Sequence, residues 1–251
     1  MTPNSLPPGV LLRVVLRSFL LQASWNFERL QSLGVAFVLA PALHRFYRDE
    51  DLALAYARHL EYFNTHPFLA GPVLGITLTL EESRSRGQPC YLEVKEFKNM
   101  IMAPYAAMGD AFFWGGVRPL AACLALFPAF RGSLWAPVLF LLLFNMPHLW
   151  FRCVGLLRGY ALGLRVIDDI GRFHLPDLAI RCKEATVVLL GALCAYLCFI
   201  ALHSEGVAAW WGLSALPVVA GGVWLIRKGV SALMLVLSLC ALVLSLHQLM
   251  N

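Results

Sequence analysis

Apolar and polar positions divide this chain unevenly near residue 131. Beyond that point, stretches 133–151, 187–204, 206–226 and 229–251 contain no Asp, Glu, Lys or Arg. Each approaches or exceeds the roughly 18 residues that make a transmembrane helix plausible. The connections between the last three are very short, with Glu205 in one and Arg227-Lys228 in the other. Before residue 131 the apolar runs are shorter: 30–43, 66–80 and 119–130, each interrupted by Gly or Pro. Such runs suit re-entrant or buried helices better than spans, and short interrupted segments point to a transporter's substrate site. Two further segments have helical periodicity. In 10–21, Arg13 and Arg17 lie one turn apart among Val, Leu and Phe, as in an interfacial amphipathic helix. In 49–63 an acidic start precedes a stripe of Leu52, Tyr56, Leu60 and Phe63. The segment EESRSRGQP, 81–89, reads as a polar loop.

Composition makes a bilayer the expected solvent. Of 251 residues, 59% are hydrophobic and 14% charged, against roughly half and a quarter in soluble domains. The expected fold is an all-α integral membrane protein, with amphipathic and broken helices in 1–131 and about three to four full transmembrane helices in the C-terminal half. It is a single membrane domain in three parts: 1–131 with the polar motifs, 132–186 with one span and a charged segment, and 187–251 with the terminal spans. The opening MTPNSLPPGV has no basic n-region and no A-x-A-type site follows, so no removable leader is expected. The net charge of +5 includes six basic residues within 152–183. This excess is assigned to membrane orientation rather than nucleic acid, with 152–186 and Arg227-Lys228 cytoplasmic and Glu205 and the C-terminus outside. The seven cysteines form no CxxC pair, and Cys194 and Cys198 read as small packing residues.

Four clusters place polar groups inside apolar surroundings. Ser24-Trp25-Asn26-Phe27-Glu28-Arg29 sets aromatics beside an amide, a carboxylate and a guanidinium. These suit either a sugar, whose hydroxyls need groups that donate and accept, or a charged pair at a membrane interface with Trp25 as anchor. Asn64 and His66 sit where a polar helix end meets Pro67. They either face a cavity or are ordinary punctuation, and a single His without a catalytic partner pattern is weak evidence for acid-base chemistry. Asp110 and Arg118 lie eight residues apart around Phe112, Phe113, Trp114 and Gly115-Gly116. Charges inside a membrane are costly, and they pair or line a pathway. Asn145, Pro147 and His148 interrupt the first long span as a Pro kink would. No Walker A, HExxH or GxSxG motif and no hydrolase-like carboxylate pair is present, so the chain is not expected to be catalytic alone. No metal or cofactor is implied.

At these same clusters the chain resembles the IID component of the mannose/fructose/sorbose family of bacterial sugar phosphotransferase systems. The stretches that carry the resemblance are RSFLLQASWNFERLQSLG (17–34), RHLEYFNTHPFLAGPVLGITLTLEE (58–82), GDAFFWGGVRP (109–119), LFNMPHLWFRCVG (143–155) and GYALGLRVIDDIG (159–171).

The resemblance implies a multi-pass protein of the bacterial inner membrane that pairs with a IIC subunit to form the sugar-translocating complex. Trimers of IIC–IID pairs are expected, working by an elevator-like motion. Soluble IIA and IIB, charged through HPr and enzyme I, would phosphorylate an incoming hexose or amino sugar, so IID itself carries no phosphate. Carried over as substrate-binding or IIC-interface positions are Asn26 and Glu28 from WNFER, Asn64 from FNTxPF, and Asp110, Trp114 and Arg118 from the GD motif. Two departures matter. The lead-in to Gly109-Asp110 is Ala103-Pro104-Tyr105-Ala106-Ala107-Met108 rather than glycine-rich, which removes backbone freedom at that hinge. The connection between the last two spans is also short. The altered lead-in prompts the rival reading, a regulatory or assembly subunit that keeps the fold without transporting.

Overall fold

The computed structural model describes residues 6–89 and 92–250. The first five residues, part of the segment on which the leader expectation rests, lie outside the described residues. Among those described the fold is helical, apart from isolated bridges joining Leu30 to Asn26 and to Phe63. Two compact units divide the chain, 1–190 and 191–251.

The first unit opens with α1 (Pro8–Ser18), where Pro at the first helical turn presets φ and gives up an N–H that needs no partner. Its face of Val14, Val15 and Ser18 is buried against α2 (Ser32–Phe46). The Arg17 guanidinium lies 4.6 Å from the centre of the Phe37 ring and donates to the Phe37 carbonyl at 3.1 Å. Gly34 permits the close return of the chain, because a Cβ there would sit 1.8 Å from the Leu21 carbonyl oxygen. Helix α3 follows (Asp49–His59), with Asp49, Glu50 and Asp51 in its first turn, where the helix dipole favours negative charge.

Helix α4 (Ala70–Ser85) is the centre of the unit and is buried on nearly all sides. At 16 residues it is about 24 Å long, short of the roughly 30 Å hydrocarbon core, as befits a buried helix. The polar loop expected over 81–89 begins later than the sequence suggests. Glu81 and Glu82 belong to α4 and are buried, because Arg58 and His59 of α3 donate to Glu81, while Arg86 and the Tyr160 hydroxyl donate to Glu82.

A continuous helix of 37 residues, Val94–Phe130, comes next: α5 (Val94–Gly109), a π-helical segment (Asp110–Val117) and α6 (Arg118–Phe130). Run 119–130, expected as an isolated short segment, is therefore the end of a long one. Pro119 falls where a wide turn hands over to α6, so the helix passes through without a break. The next span repeats the device: α7 (Ala136–Leu149), a second π segment (Trp150–Val154) and α8 (Gly155–Leu162). Helices α4 and α8 cross closely through two small-residue pairs. A Cβ on Gly75 would meet the Leu156 carbonyl oxygen at 2.2 Å, and one on Gly159 the Pro72 carbonyl oxygen at 2.6 Å. Both helices carry the G-x-x-x-G spacing that lets backbones approach in membranes, at Gly71/Gly75 and Gly155/Gly159. Helix α9 (Arg165–Gly171) and helix α10 (Leu175–Ser204) complete this part of the chain, the boundary between units falling within α10.

The second unit contains a 3₁₀ turn (Ala209–Ser214), α11 (Ala215–Arg227) and α12 (Ala232–Met250). Helix α11 buries no residue, and both helices are apolar nearly all round, which is the surface lipid requires. Stacked Trp210 and Trp211 precede α11, and Trp224 with Lys228 closes it, as aromatic and basic anchors do at membrane interfaces. Cys194 and Cys198, expected to pack, lie exposed on α10. Among the described residues, four segments are long and apolar enough to cross a membrane: Val94–Phe130, Ala136–Leu162, Arg165–Ser204 and Ala209–Arg227.

Candidate functional site

The site begins with backbone pairing between two loops. Asn26 Oδ1 accepts from the backbone N–H groups of Glu28 and Arg29 at 3.1 and 2.8 Å, forming an Asx-type turn. Leu30 adopts φ +52°, a left-handed conformation that opposes its side chain. Reciprocal backbone bonds to Asn26 hold it there. Beyond Leu30 the chain pairs with the connection between α3 and α4. The Gln31 N–H donates to the Phe63 carbonyl at 2.9 Å. The buried Gln31 amide brackets Thr65, donating to its carbonyl at 2.7 Å and accepting from its N–H at 3.1 Å. With both backbone groups of Thr65 satisfied, the flanking Asn64 and His66 are carried on a fixed backbone.

Opposite this backbone stands the π segment. It begins at Asp110, and Trp114 follows on the same side, so both line a cavity of about 180 Å³ with Asn64, Thr65 and His66. Gln22, Gln31, Pro67 and Ala106 complete the lining. Trp114 is held from two directions, with the Arg118 guanidinium 5.6 Å from its ring centre and the Phe144 ring stacked at 5.9 Å. His66 is wedged into aromatics: its ring stacks on Phe113 at 5.2 Å and meets Phe68 edge-on at 5.1 Å. The same ring accounts for Gly109, where any Cβ would lie 2.2 Å from the His66 side chain.

Burial lowers the His66 pKa to about 4, with His148 and Arg152 adding in the same direction, so the imidazole is neutral near pH 7. The Phe68 N–H donates to Nδ1 at 3.3 Å, which leaves the proton on Nε2. That Nε2 is buried without a hydrogen-bond partner among the described residues, and Asp110 Oδ1 is 3.9 Å away, beyond a direct hydrogen bond. The cavity therefore offers an unmet donor, a carboxylate, amides and an indole face in a mostly polar lining. Ligand cavities commonly exceed about 300 Å³, so this one provides part of a site rather than a whole one.

Two buried charges tie the helices of this unit together, Arg152 beside the cavity and Glu81 farther along α4. Arg152, in the second π segment, donates to the carbonyl of Ser18 at 2.8 Å and to that of Pro67 at 2.9 Å. Glu81 in α4 accepts from Tyr47 at 2.7 Å, from Arg58 at 2.8 and 3.2 Å, and from His59 Nε2 at 2.9 Å. Lys98 adds a 2.6 Å bond to the Arg58 carbonyl. Burial raises the Glu81 pKa, but the bonds from His59 and Arg58 outweigh it and bring the value down to about 2. For His59 the opposing influences resolve the other way: burial lowers the pKa despite the bond to Glu81. The neutral form agrees with the geometry, because Nδ1 is buried without a partner among the described residues and a second proton there would be stranded.

Of the six positions carried over from the resemblance, Asn64, Asp110 and Trp114 meet at the cavity, and Arg118 supports Trp114 from behind. Asn26 and Glu28 do not join them. They line a separate open depression of about 510 Å³ with Phe27, Arg29, Leu33 and Leu60. There Asn26 is occupied by its own turn, and Glu28 pairs with Arg29 at 3.2 Å. Sequence reasoning does not select Gln22, Gln31 or Thr65. Gln22 and Gln31 lie in the first matching stretch and Thr65 in the second, but only folding brings the two together.

Among the described residues, helices without strands, long apolar spans, broken helices and a polar cavity define an all-helical membrane protein with the anatomy of a transporter subunit. The family described as "PTS system mannose/fructose/sorbose family IID component" matches residues 6–206. This chain belongs to that family, whose members function with a IIC subunit and the other phosphotransferase components. The mannose-specific EIID component of Escherichia coli K12 is 42% identical over 195 residues, covering 76% of this chain and 69% of the relative. The sorbose-specific EIID component of Klebsiella pneumoniae is 36% identical over 195 residues, covering 77% and 71%. The IID component of the Bacillus subtilis fructose permease is 34% identical over 186 residues, covering 71% and 66%. Among solved structures, the mannose transporter ManYZ in complex with microcin E492 contains a chain 33% identical, with TM-score 0.60 and 96% of each chain covered. A second, described only as a membrane protein, is 32% identical with TM-score 0.72, covering 96% of this chain and 97% of that one.

Proposed function

We propose that this chain pairs with a IIC subunit in the bacterial inner membrane to translocate a hexose or amino sugar, which IIB phosphorylates on arrival. The cavity of Asn64, Asp110 and Trp114 carries this reading. An indole face stacks on a sugar ring, and an amide and a carboxylate meet hydroxyls that both donate and accept. The small cavity gains its remaining wall from IIC. The exposed Asn26–Arg29 turn serves the subunit boundary, since Asn26 is committed to backbone and Phe27 is 92% exposed. The turn between the spans Ala136–Leu162 and Arg165–Ser204, with Arg158, Arg165 and Arg172 close to it, lies on the cytoplasmic side, where basic residues near span ends are retained. IIC–IID pairs assemble as trimers.

The test is co-expression with the cognate IIC, IIA and IIB, followed by phosphoenolpyruvate-dependent uptake of labelled hexoses and amino sugars. Uptake that requires this chain, and that Asn64→Ala or Asp110→Ala reduces at least tenfold in an assembled complex, supports the assignment. An assembled complex that docks IIAB but consumes no phosphoryl donor with any sugar points instead to a regulatory subunit.

A further inference from the structure

We infer that His66 Nε2–H and the Asp110 carboxylate together grip one hydroxyl of the transported sugar, making His66 a specificity-determining residue. The inference rests on the sugar-cavity reading above and adds to it a residue and a bonding pattern.

Three observations converge on His66. Its side chain has no exposed surface, yet it lines the cavity. The bond from the Phe68 N–H fixes Nδ1 as acceptor, so Nε2 is the donor. That donor is buried and unpartnered among the described residues. An unmet buried donor is unfavourable and seldom persists without a partner from outside the chain. Stacking on Phe113 and the close approach of Gly109 hold the ring against turning toward another acceptor.

The 3.9 Å gap between Nε2 and Asp110 Oδ1 is too long for a direct bond. An oxygen about 2.8 Å from each would bridge it at roughly a right angle. Such an oxygen must accept from Nε2–H and donate to the carboxylate. A hydroxyl does both, whereas an ether or ring oxygen only accepts and an ammonium only donates. The pair therefore selects a free hydroxyl at one ring position, and the flanking Thr65 hydroxyl, also buried and unpartnered among the described residues, stands ready for a neighbouring group.

The test uses the assembled complex and measures uptake KM for a transported hexose and its series of single-deoxy analogues. Wild-type protein is expected to show one deoxy analogue with KM raised about a hundredfold, the weight of the two hydrogen bonds lost with its hydroxyl. His66→Leu, which removes one of the two, should raise KM for the parent sugar about tenfold while leaving KM for that analogue unchanged. His66→Gln, which restores an N–H, should recover part of the discrimination, and co-purification with IIC checks that each variant folds. A His66→Leu variant that shifts parent and every analogue equally, or shifts none, overturns the inference while leaving the cavity intact. Wild-type protein that discriminates against no analogue overturns it too. Failure of the cavity reading itself is recognised separately, by Asn64→Ala and Trp114→Ala leaving KM unchanged for every sugar.

Discussion

The Arg152 guanidinium donates to the carbonyl of Pro67 at 2.9 Å, tying the second π segment to the backbone that carries His66. Its other terminal nitrogen reaches Ser18 at the end of α1, where helix carbonyls lack intrahelical partners and attract a cation. These carbonyls and the Phe19 and Phe68 rings, 5.1 and 5.9 Å away, surround the buried charge. Arg152→Ala leaves the Pro67 carbonyl unmet and the Ser18 carbonyl with the Leu21 N–H alone, and is expected to destabilise the complex by about 2–4 kcal/mol. Arg152→Lys should recover only part of the loss, since one ammonium cannot span both carbonyls with a planar fork. Thermal unfolding of the detergent-solubilised IIC–IID complex measures both.

Glu81 sets the acid limit of the fold. Its pKa falls from its ordinary value of 4.5 to about 2 in the folded chain, so its stabilisation is complete above pH 4.5 and is lost as pH falls from there toward 2. His59 acts in the same direction over a higher window. Its folded pKa lies below 6.5, so the unfolded chain takes up the proton first and stability declines as pH drops below 6.5. The cluster therefore predicts a flat thermal midpoint above about pH 7 and a progressive fall below it. Glu81→Ala strands Arg58 and removes the acceptor shared with Tyr47 and His59, for an expected loss of about 3–5 kcal/mol. An unfolding midpoint that rises on acidification would contradict the roles given to both Glu81 and His59.

The α4–α8 crossing allows a comparison among glycines. Gly75→Ala drives a methyl against the backbone of Leu156, which cannot yield as a flexible side chain would, and Gly159→Ala does the same at Pro72. Gly191→Ala in α10 meets nothing within 4 Å. The first two should lower the thermal midpoint and reduce the yield of assembled complex, and the third should leave both at wild-type level or slightly higher. Equal behaviour of all three would mean that the crossing tolerates wider separation.

The parts of this molecule legible in the sequence are those where cost is local. Asn64, Asp110 and Trp114 stand out because polar groups in apolar runs need a reason, and the fold brings these three to one cavity. The amphipathic segment beginning at Asp49 is readable from period alone, although α3 stops at His59 and the chain then turns to pair with the loop before α2. What escapes depends on distant partners. Glu81 and Glu82 look like loop residues until Arg58, His59 and Tyr160 supply the donors that permit burial. The Gln31–Thr65 clamp spans 34 residues and uses backbone atoms, which leave no mark on composition. Pro104 and Pro119 suggest interruption, but helix α5 and the π segment accommodate them within one span. The G-x-x-x-G spacings are visible as letters, but which helices they join is not.

Arg118 and Trp114 supply a last prediction, because the structure gives Arg118 an indirect role. The guanidinium stands over the indole and does not line the cavity, so its effect on a sugar should pass through the ring it holds. A cation–π contact of about 0.5–1 kcal/mol corresponds to roughly a two- to fivefold change in affinity. Arg118→Gln should therefore raise uptake KM by that modest factor, and Trp114→Ala should raise it considerably more. The double variant decides between two roles. If Arg118 acts only by steadying Trp114, adding Arg118→Gln to Trp114→Ala changes KM no further, and the two effects are fully non-additive. If instead the guanidinium reaches the sugar or a phosphate arriving on IIB, the double variant is worse than Trp114→Ala alone by the full single-variant factor. Measuring KM for the four proteins in the assembled complex separates a support for the indole from a ligand contact in its own right.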